Sequence, residues 1–174
     1  MGKIKVTVGK DKKTGKDVMQ IQRPYDERKR REEEMFKKYP KIFRQKELPM
    51  SQTAMCWGLE IGPGWYPLID CLCMAIQQYI DYHQLPQVEA IQVKEKFGGL
   101  RFYTDQADDY VRNIINFAEH MSYFICEDCG TTNGATQNDH GWITTLCPEC
   151  RKKDFETKKK NLQGIDLNED PKKD

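Results

Sequence analysis

Gln92-Val93-Lys94-Glu95-Lys96-Phe97-Gly98-Gly99-Leu100-Arg101-Phe102-Tyr103 decides the fold. Two runs of strand character, Val88 to Val93 and Leu100 to Thr104, flank the Phe97-Gly98-Gly99 turn, and glycines supply the positive φ that a tight hairpin turn requires. Side chains alternate across a strand, so Ile91 and Val93 share one face with Leu100 and Phe102. The other face carries Gln92, Lys94, Arg101 and Tyr103. This is an antiparallel hairpin with one face for a core.

Helices flank the hairpin on both sides. Before it, Trp65, Leu68, Ile69, Leu72, Met74, Ala75, Ile76, Tyr79 and Ile80 recur at helical spacing, which predicts a buried amphipathic helix over 65–82. After it, Asp105 can cap a helix over 107–122 with a core stripe of Tyr110, Val111, Ile114, Ile115, Phe117, Ala118 and Met121. Residues 41–64 read as irregular. Further upstream, Lys3 to Val8 and Val18 to Gln22 read as a hairpin with a lysine-rich loop, and a charge-dense helix over 25–38 ends at Tyr39-Pro40. The fold class is α+β: helices packed on a small antiparallel sheet, with a C-terminal zinc-ribbon-like module. The expected organisation is a basic hairpin and charged helix (1–40), an α+β core (41–124), a ribbon (125–152) and a polar, flexible tail (153–174).

The ribbon rests on Cys126-Glu127-Asp128-Cys129-Gly130 and, with 17 residues between Cys129 and Cys147, on Cys147-Pro148-Glu149-Cys150. Two residues between cysteines let both thiolates of one turn face one ion, and two such turns complete a tetrahedral site. Four protein ligands leave no position for an activated water, so the expected cofactor is one structural Zn2+. His140 is a possible substitute ligand. Cys56, Cys71 and Cys73 read as core packing, since free cysteine is commonly buried.

The chain has 174 residues and a net charge of +1, unevenly spread. Residues 1–50 carry 16 Lys/Arg against 8 Asp/Glu, and residues 51–150 carry 4 against 13. The basic arm suggests a charged partner, or else packs on the protein's own acidic body. No run approaches the roughly 20 apolar residues of a membrane span, and the seven cysteines suit metal binding in a reducing compartment. The expectation is a cytoplasmic protein. No phosphate-binding loop, metalloprotease helix or nucleophile elbow is present. The scattered acids Glu60, Asp70, Glu89, Glu95, Asp105, Asp108 and Asp109 have no spacing that demands a metal.

Several runs resemble a family of small proteins encoded by tailed bacteriophages and prophages. They are Tyr39 to Arg44, Cys56 to Asp70 with its Gly62-Pro63-Gly64, Gln92 to Tyr103, Ala118-Glu119, Cys126 to Gly130 and Gly141 to Cys147. The likeness covers about residues 36–152, and Lys96 to Tyr103 is its most specific part. It implies a phage origin and an infected bacterial cytoplasm, without implying an activity. Three functions follow as expectations. The first is an accessory protein that binds a host or phage protein and inhibits a defence or transcription system. Trp57, Trp65 and Tyr66 then serve as interface anchors, or else as core edges. The second is nucleic-acid binding through the basic arm with Lys94, Lys96, Arg101 and Tyr103, whose face equally suits plain solvent exposure. The third is a metal-dependent nuclease.

Overall fold

The computed structural model describes residues 5–10, 17–22, 24–139 and 141–163, with side chains placed over 28–139 and 141–159. The first hairpin pairs β1 (Lys5–Lys10) with β2 (Asp17–Gln22) antiparallel, from Lys5 opposite Gln22 to Lys10 opposite Asp17. Its lysine-rich loop lies outside the described residues. Helix α1 (Pro24–Lys38) follows. The central sheet has the order β3-β4-β5, from β3 (Leu59–Glu60), β4 (Ala90–Lys96) and β5 (Gly99–Thr104). Strand β4 pairs β5 antiparallel and β3 parallel. The sheet is therefore mixed, because a two-residue strand from the stretch read as irregular adds to it.

The core face holds Ala90, Val93, Leu100 and Phe102, all buried. Ile91, expected beside Val93, is only half-buried. A register shift between Ala90 and Gln92 displaces it, as a bulge does. The turn also differs from expectation. Positive φ falls on Phe97 (53°) and Gly98 (70°), while Gly99 opens β5. Gly99 is a glycine for room: a Cβ there would stand 2.5 Å from Cε1 of Tyr123.

Helix α2 (Tyr66–His83) buries Ile69, Leu72, Cys73, Ile76 and Ile80 in the core. Helix α3 (Asp109–Ser122) covers the open edge of β5. The Leu100 N–H donates to Ser122 Oγ (2.8 Å) and the Phe102 N–H to Glu119 Oε1 (2.8 Å). Side chains of α3 thus satisfy donors that an edge strand would otherwise offer to another chain. Asp108, not Asp105, caps α3, its Oδ1 accepting from the Val111 N–H at 2.8 Å. Asp105 instead accepts from the backbone N–H groups of Glu89 and Gln106. The core stripe of α3 is narrower than expected: Val111, Ile115, Ala118 and Ser122 are buried, whereas Tyr110 and Phe117 are exposed.

Helix α1 lies on this body. Arg28 donates to the Leu59 carbonyl (3.0 Å), Arg31 to the Pro63 carbonyl (3.5 Å), and Glu32 accepts from the Leu59 N–H (2.5 Å). Lys38 grips both oxygens of Asp70 (2.6 and 2.8 Å), with the Tyr39 hydroxyl donating to the same carboxylate at 2.7 Å. These basic groups are spent on the protein's own carbonyls and acids. Finally β6 (Thr136–Gln137) and β7 (Thr145–Leu146) form a short antiparallel hairpin, and α4 (Pro148–Gln163) follows. The segment 153–163, expected as flexible tail, is therefore helical; 164–174 lies outside the described residues. No helix among the described residues is long and apolar enough to cross a membrane.

Candidate metal centre

The chain folds two tight turns toward one point. In the first, Gly130 takes φ +79° and its N–H returns to the Cys126 carbonyl (2.8 Å), curling the backbone around the sulfurs of Cys126 and Cys129. In the second, Pro148 opens α4 directly after Cys147, a position where proline's missing N–H is no loss. Cys147 therefore stands at the helix N-terminus and Cys150 in its first turn. The four Sγ atoms of Cys126, Cys129, Cys147 and Cys150 lie within 4.8 Å of one another. A tetrahedral ion with metal–sulfur bonds of about 2.3 Å holds its thiolates about 3.8 Å apart. Cys129 and Cys147 already stand at 3.7 Å. The donor set and its spacing fit a tetrahedral tetrathiolate metal site.

The local field favours a thiolate at Cys147. The Cys150 N–H points at Cys147 Sγ (3.5 Å) and pulls that thiol down to about 7, against the opposing effect of burial. Burial, reinforced by the other cysteines, pushes Cys150 up, so loading an ion must displace protons. Burial also raises the Glu127 carboxyl to about 7, with Glu95 and Asp128 adding to it. Cys126, Cys147 and Cys150 are buried and Cys129 is exposed. His140 lies outside the described residues.

Two glycine motifs of the core receive this module. On one side the Gly64 N–H donates to the Glu127 carbonyl (2.7 Å), and a Cβ at Gly64 would fall within 2.8 Å of that oxygen and closer still to Cys126 O and Gly130 N. Next to it, Trp65 is fully buried and its Nε1 donates to the Ile125 carbonyl (2.9 Å). On the other side, Gln137 Nε2 donates to the Phe97 carbonyl (2.7 Å) and Thr145 Oγ1 to the Gly98 carbonyl (2.5 Å). The Gly62-Pro63-Gly64 turn and the Phe97-Gly98-Gly99 turn are thus the two seats of the cysteine module. Sequence reasoning read the first motif as irregular chain and the second as a hairpin turn, and missed what they hold because the contacts span 40 to 66 residues of chain.

The proposed surface residues separate. Trp65 and Tyr66 are buried, so they are core residues and not interface anchors: their rings fill the junction between α1, α2 and the cysteine module. Trp57 is exposed. On the outer sheet face Lys94 Nζ lies 5.8 Å from the Tyr103 ring centre, and Lys96 Nζ lies 5.5 Å from that of Phe97. Arg101 is turned to α3, donating to the Tyr123 hydroxyl (3.0 Å) with Glu119 at 4.0 Å. Cys73 is buried, and burial, then Asp70, raises its thiol far above the ordinary range. Cys56 donates to the Thr53 carbonyl (3.3 Å), whereas Cys71, expected in the core, is exposed. The scattered acids mostly have structural partners: Asp70 with Lys38, Glu89 with Arg44 (2.5 and 2.8 Å), Glu95 with the Gly98 N–H (2.6 Å), and Asp108 with the α3 N-terminus. Among the described residues, the four cysteines are the group placed to hold a metal.

Comparison of the chain with protein-family models, with curated proteins and with solved structures finds no match in any of the three.

Proposed function

We propose that the chain is a phage-encoded accessory protein of the host cytoplasm that binds a host or phage protein, with the Phe97 hairpin as its anchor and one zinc ion as its staple. Phe97 carries the reading. It is a bulky aromatic at φ 53°, 66% exposed, on a turn where asparagine before glycine is the favoured pair. Left-handed backbone costs a residue with a Cβ about 1–2 kcal/mol. An exposed ring recovers little of that from the core, so its value is sought in recognition. Large aromatics on rigid supports are the usual energetic centres of protein interfaces. The support is rigid here because Gln137 and Thr145 clamp the turn's carbonyls. Trp57, and Trp142 in the loop between β6 and β7, are further exposed aromatics. Four thiolates in a closed tetrahedron suit zinc in a reducing cytoplasm, where the ion folds the module and takes no substrate. Inhibition of a defence or transcription system is the role such binding serves.

Phe97→Asn tests this. It relieves the turn and is expected to raise the melting temperature by a few degrees. In captures from infected cells it should lose a protein that the wild type retains. Identical captures from both, or a variant less stable than wild type, would refute the reading.

A second reading, nucleic-acid binding, is favoured by Lys94 over Tyr103 and Lys96 over Phe97, where a base can stack beside two cations. It requires binding that falls steeply with salt. A gel shift showing none at about 50 mM salt removes it.

A further inference from the structure

The outer side of the α2–α3 layer is apolar. On α3, Tyr110, Ile114, Phe117, Met121 and, just past its end, Phe124 follow at alternating spacings of four and three. This is the seam pattern of paired helices. It lies beside the buried stripe of Val111, Ile115 and Ala118, so α3 has two apolar stripes; the core takes the one and, of the other, Ile114. Phe117 is 67% exposed and Phe124 63%, with Ile114 and Met121 half-buried between the aromatics. On α2, Cys71, Met74, Gln78 and Tyr82 are exposed at spacings of three and four, with Tyr82 83% exposed and Asp81 exposed beside it. The two stripes meet at one end. There Tyr79 stacks on Tyr110 with ring centres 4.1 Å apart, and Tyr79, Tyr82, His83 and Tyr110 line a shared groove with Asp81, which Lys41 approaches to 3.7 Å.

We propose that a second copy of this chain covers this face, the two α2–α3 layers packing about a two-fold axis into a four-helix interface. Three observations select this occupant. The first is charge. No stripe position on either helix is Asp, Glu, Lys or Arg, and the flanking row of α3 runs Asp109, Asn113, Asn116 and His120, with one acid at its N-terminal end. A two-fold contact sets each flank against itself or its neighbour, and because Asp109 is held by Arg112 on its own helix (2.6 Å), like meets like there with little repulsion. An acidic or nucleic-acid partner would instead require cations here. The second is area. Tyr82, Tyr110, Phe117 and Phe124 alone leave on the order of 500 Å² in water, given about 150–250 Å² per aromatic side chain. That is toward the upper end of the roughly 300–600 Å² of the largest patch on a typical monomer, a size commonly tied to function. Met74, Ile114 and Met121 bring the face toward the roughly 800 Å² per partner of a stable interface. The third is geometry. Two helices already packed side by side form one half of a four-helix bundle, and a matching pair supplies the other half.

Phe97 is not one of the stripe residues, so Phe97→Asn should leave pairing intact and the two proposals fail independently. Sedimentation equilibrium on the full, metal-loaded chain tests pairing. The expected result is a species of twice the 20.4 kDa chain mass at micromolar concentration. Phe117→Glu should weaken it by about 30-fold or more, as loss of a central aromatic does, while Phe117→Leu keeps it. Met74→Lys on α2 is the second variant, should Phe117→Glu fail to fold. Alkylation of Cys71, read by peptide mass, should slow as the wild type is concentrated and stay fast in Phe117→Glu. A single-chain mass up to about 100 μM, pairing that survives both charged variants, or a Cys71 protected equally at all concentrations would overturn the proposal. The last result would mean that the chain's own ends cover the face.

Discussion

Replacing Gly64 by alanine puts one methyl group where three backbone atoms of the cysteine module already stand: Cys126 O, Gly130 N and Glu127 O. None of them is the tip of a flexible side chain, so relief requires the first cysteine turn and the Gly62-Pro63-Gly64 turn to part. Parting them breaks the Gly64 N–H bond to Glu127 O and the Trp65 Nε1 bond to Ile125 O. Each bond contributes about 1 kcal/mol net, and a buried donor left without a partner costs about 1–3 kcal/mol more. The expected loss is about 3–4 kcal/mol, a large share of a typical stability of about 5–15 kcal/mol. For a chain of this length it corresponds to a fall in Tm of roughly 10 °C. Gly141→Ala is the comparison. Gly141 has φ +75° and nothing within 4 Å of an added Cβ, so it carries only the left-handed cost of about 1–2 kcal/mol. Thermal unfolding followed by circular dichroism on both metal-loaded variants decides the matter. If Gly64→Ala melts within about 2 °C of wild type, or Gly141→Ala is the more damaging, the seat described for the module is wrong.

Ser122→Ala should leave the Leu100 N–H without an acceptor, lowering stability by about 1–3 kcal/mol and speeding amide exchange at Leu100; unchanged exchange would count against α3 as the cover of that edge. Lys38, with help from the Tyr39 hydroxyl, holds the Asp70 carboxyl below the usual range. Its folded pKa lies under its unfolded one, so the contribution is present above about pH 4 and is lost as pH falls through the depressed value. The stability gap between wild type and Asp70→Asn, measured by denaturant titration, should be present at pH 6 and vanish near pH 2; it should be small, because the pair is exposed to solvent. Metal analysis should find one zinc per chain, none after Cys147→Ser, and chelation should unfold residues 125–150 ahead of the core as read by amide exchange.

Much of this was legible in the sequence. The two Cys-x-x-Cys turns state their chemistry in their spacing, and the hairpin announces itself by alternation around a glycine pair. What could not be read was contact across distance. Gly64 and Gly99 need to be glycine because Glu127 and Tyr123 approach them, and no local pattern records that. The stripes of α3 show a second limit. Val111, Ile115 and Ala118 face the core while the larger Tyr110, Phe117 and Phe124 face out, and periodicity ranks apolar faces by size without knowing which one the sheet meets. Two misses did have a signal. Pro148 directly after a cysteine marks the first turn of a helix, and lysine-rich composition concealed it. Asp108, three residues before Val111, is as good a cap by spacing as Asp105 is by position.

The start of α4 inside the second cysteine pair ties a helix to the candidate metal site. Forming a first helical turn fixes several residues for one hydrogen bond, and a free helix of this length is marginal in water. Arg151 reaches back to the Thr136 and Leu146 carbonyls, but farther along the contacts of Thr157 with Lys153 and of Lys158 with Asp154 stay within the helix, and Phe155 is exposed. An ion held by Cys147 and Cys150 would therefore act as the nucleus from which this lysine-rich rod propagates. Occupancy of the site at one end would be read out along about 24 Å of helix, making the order of α4 a reporter of the state of that site.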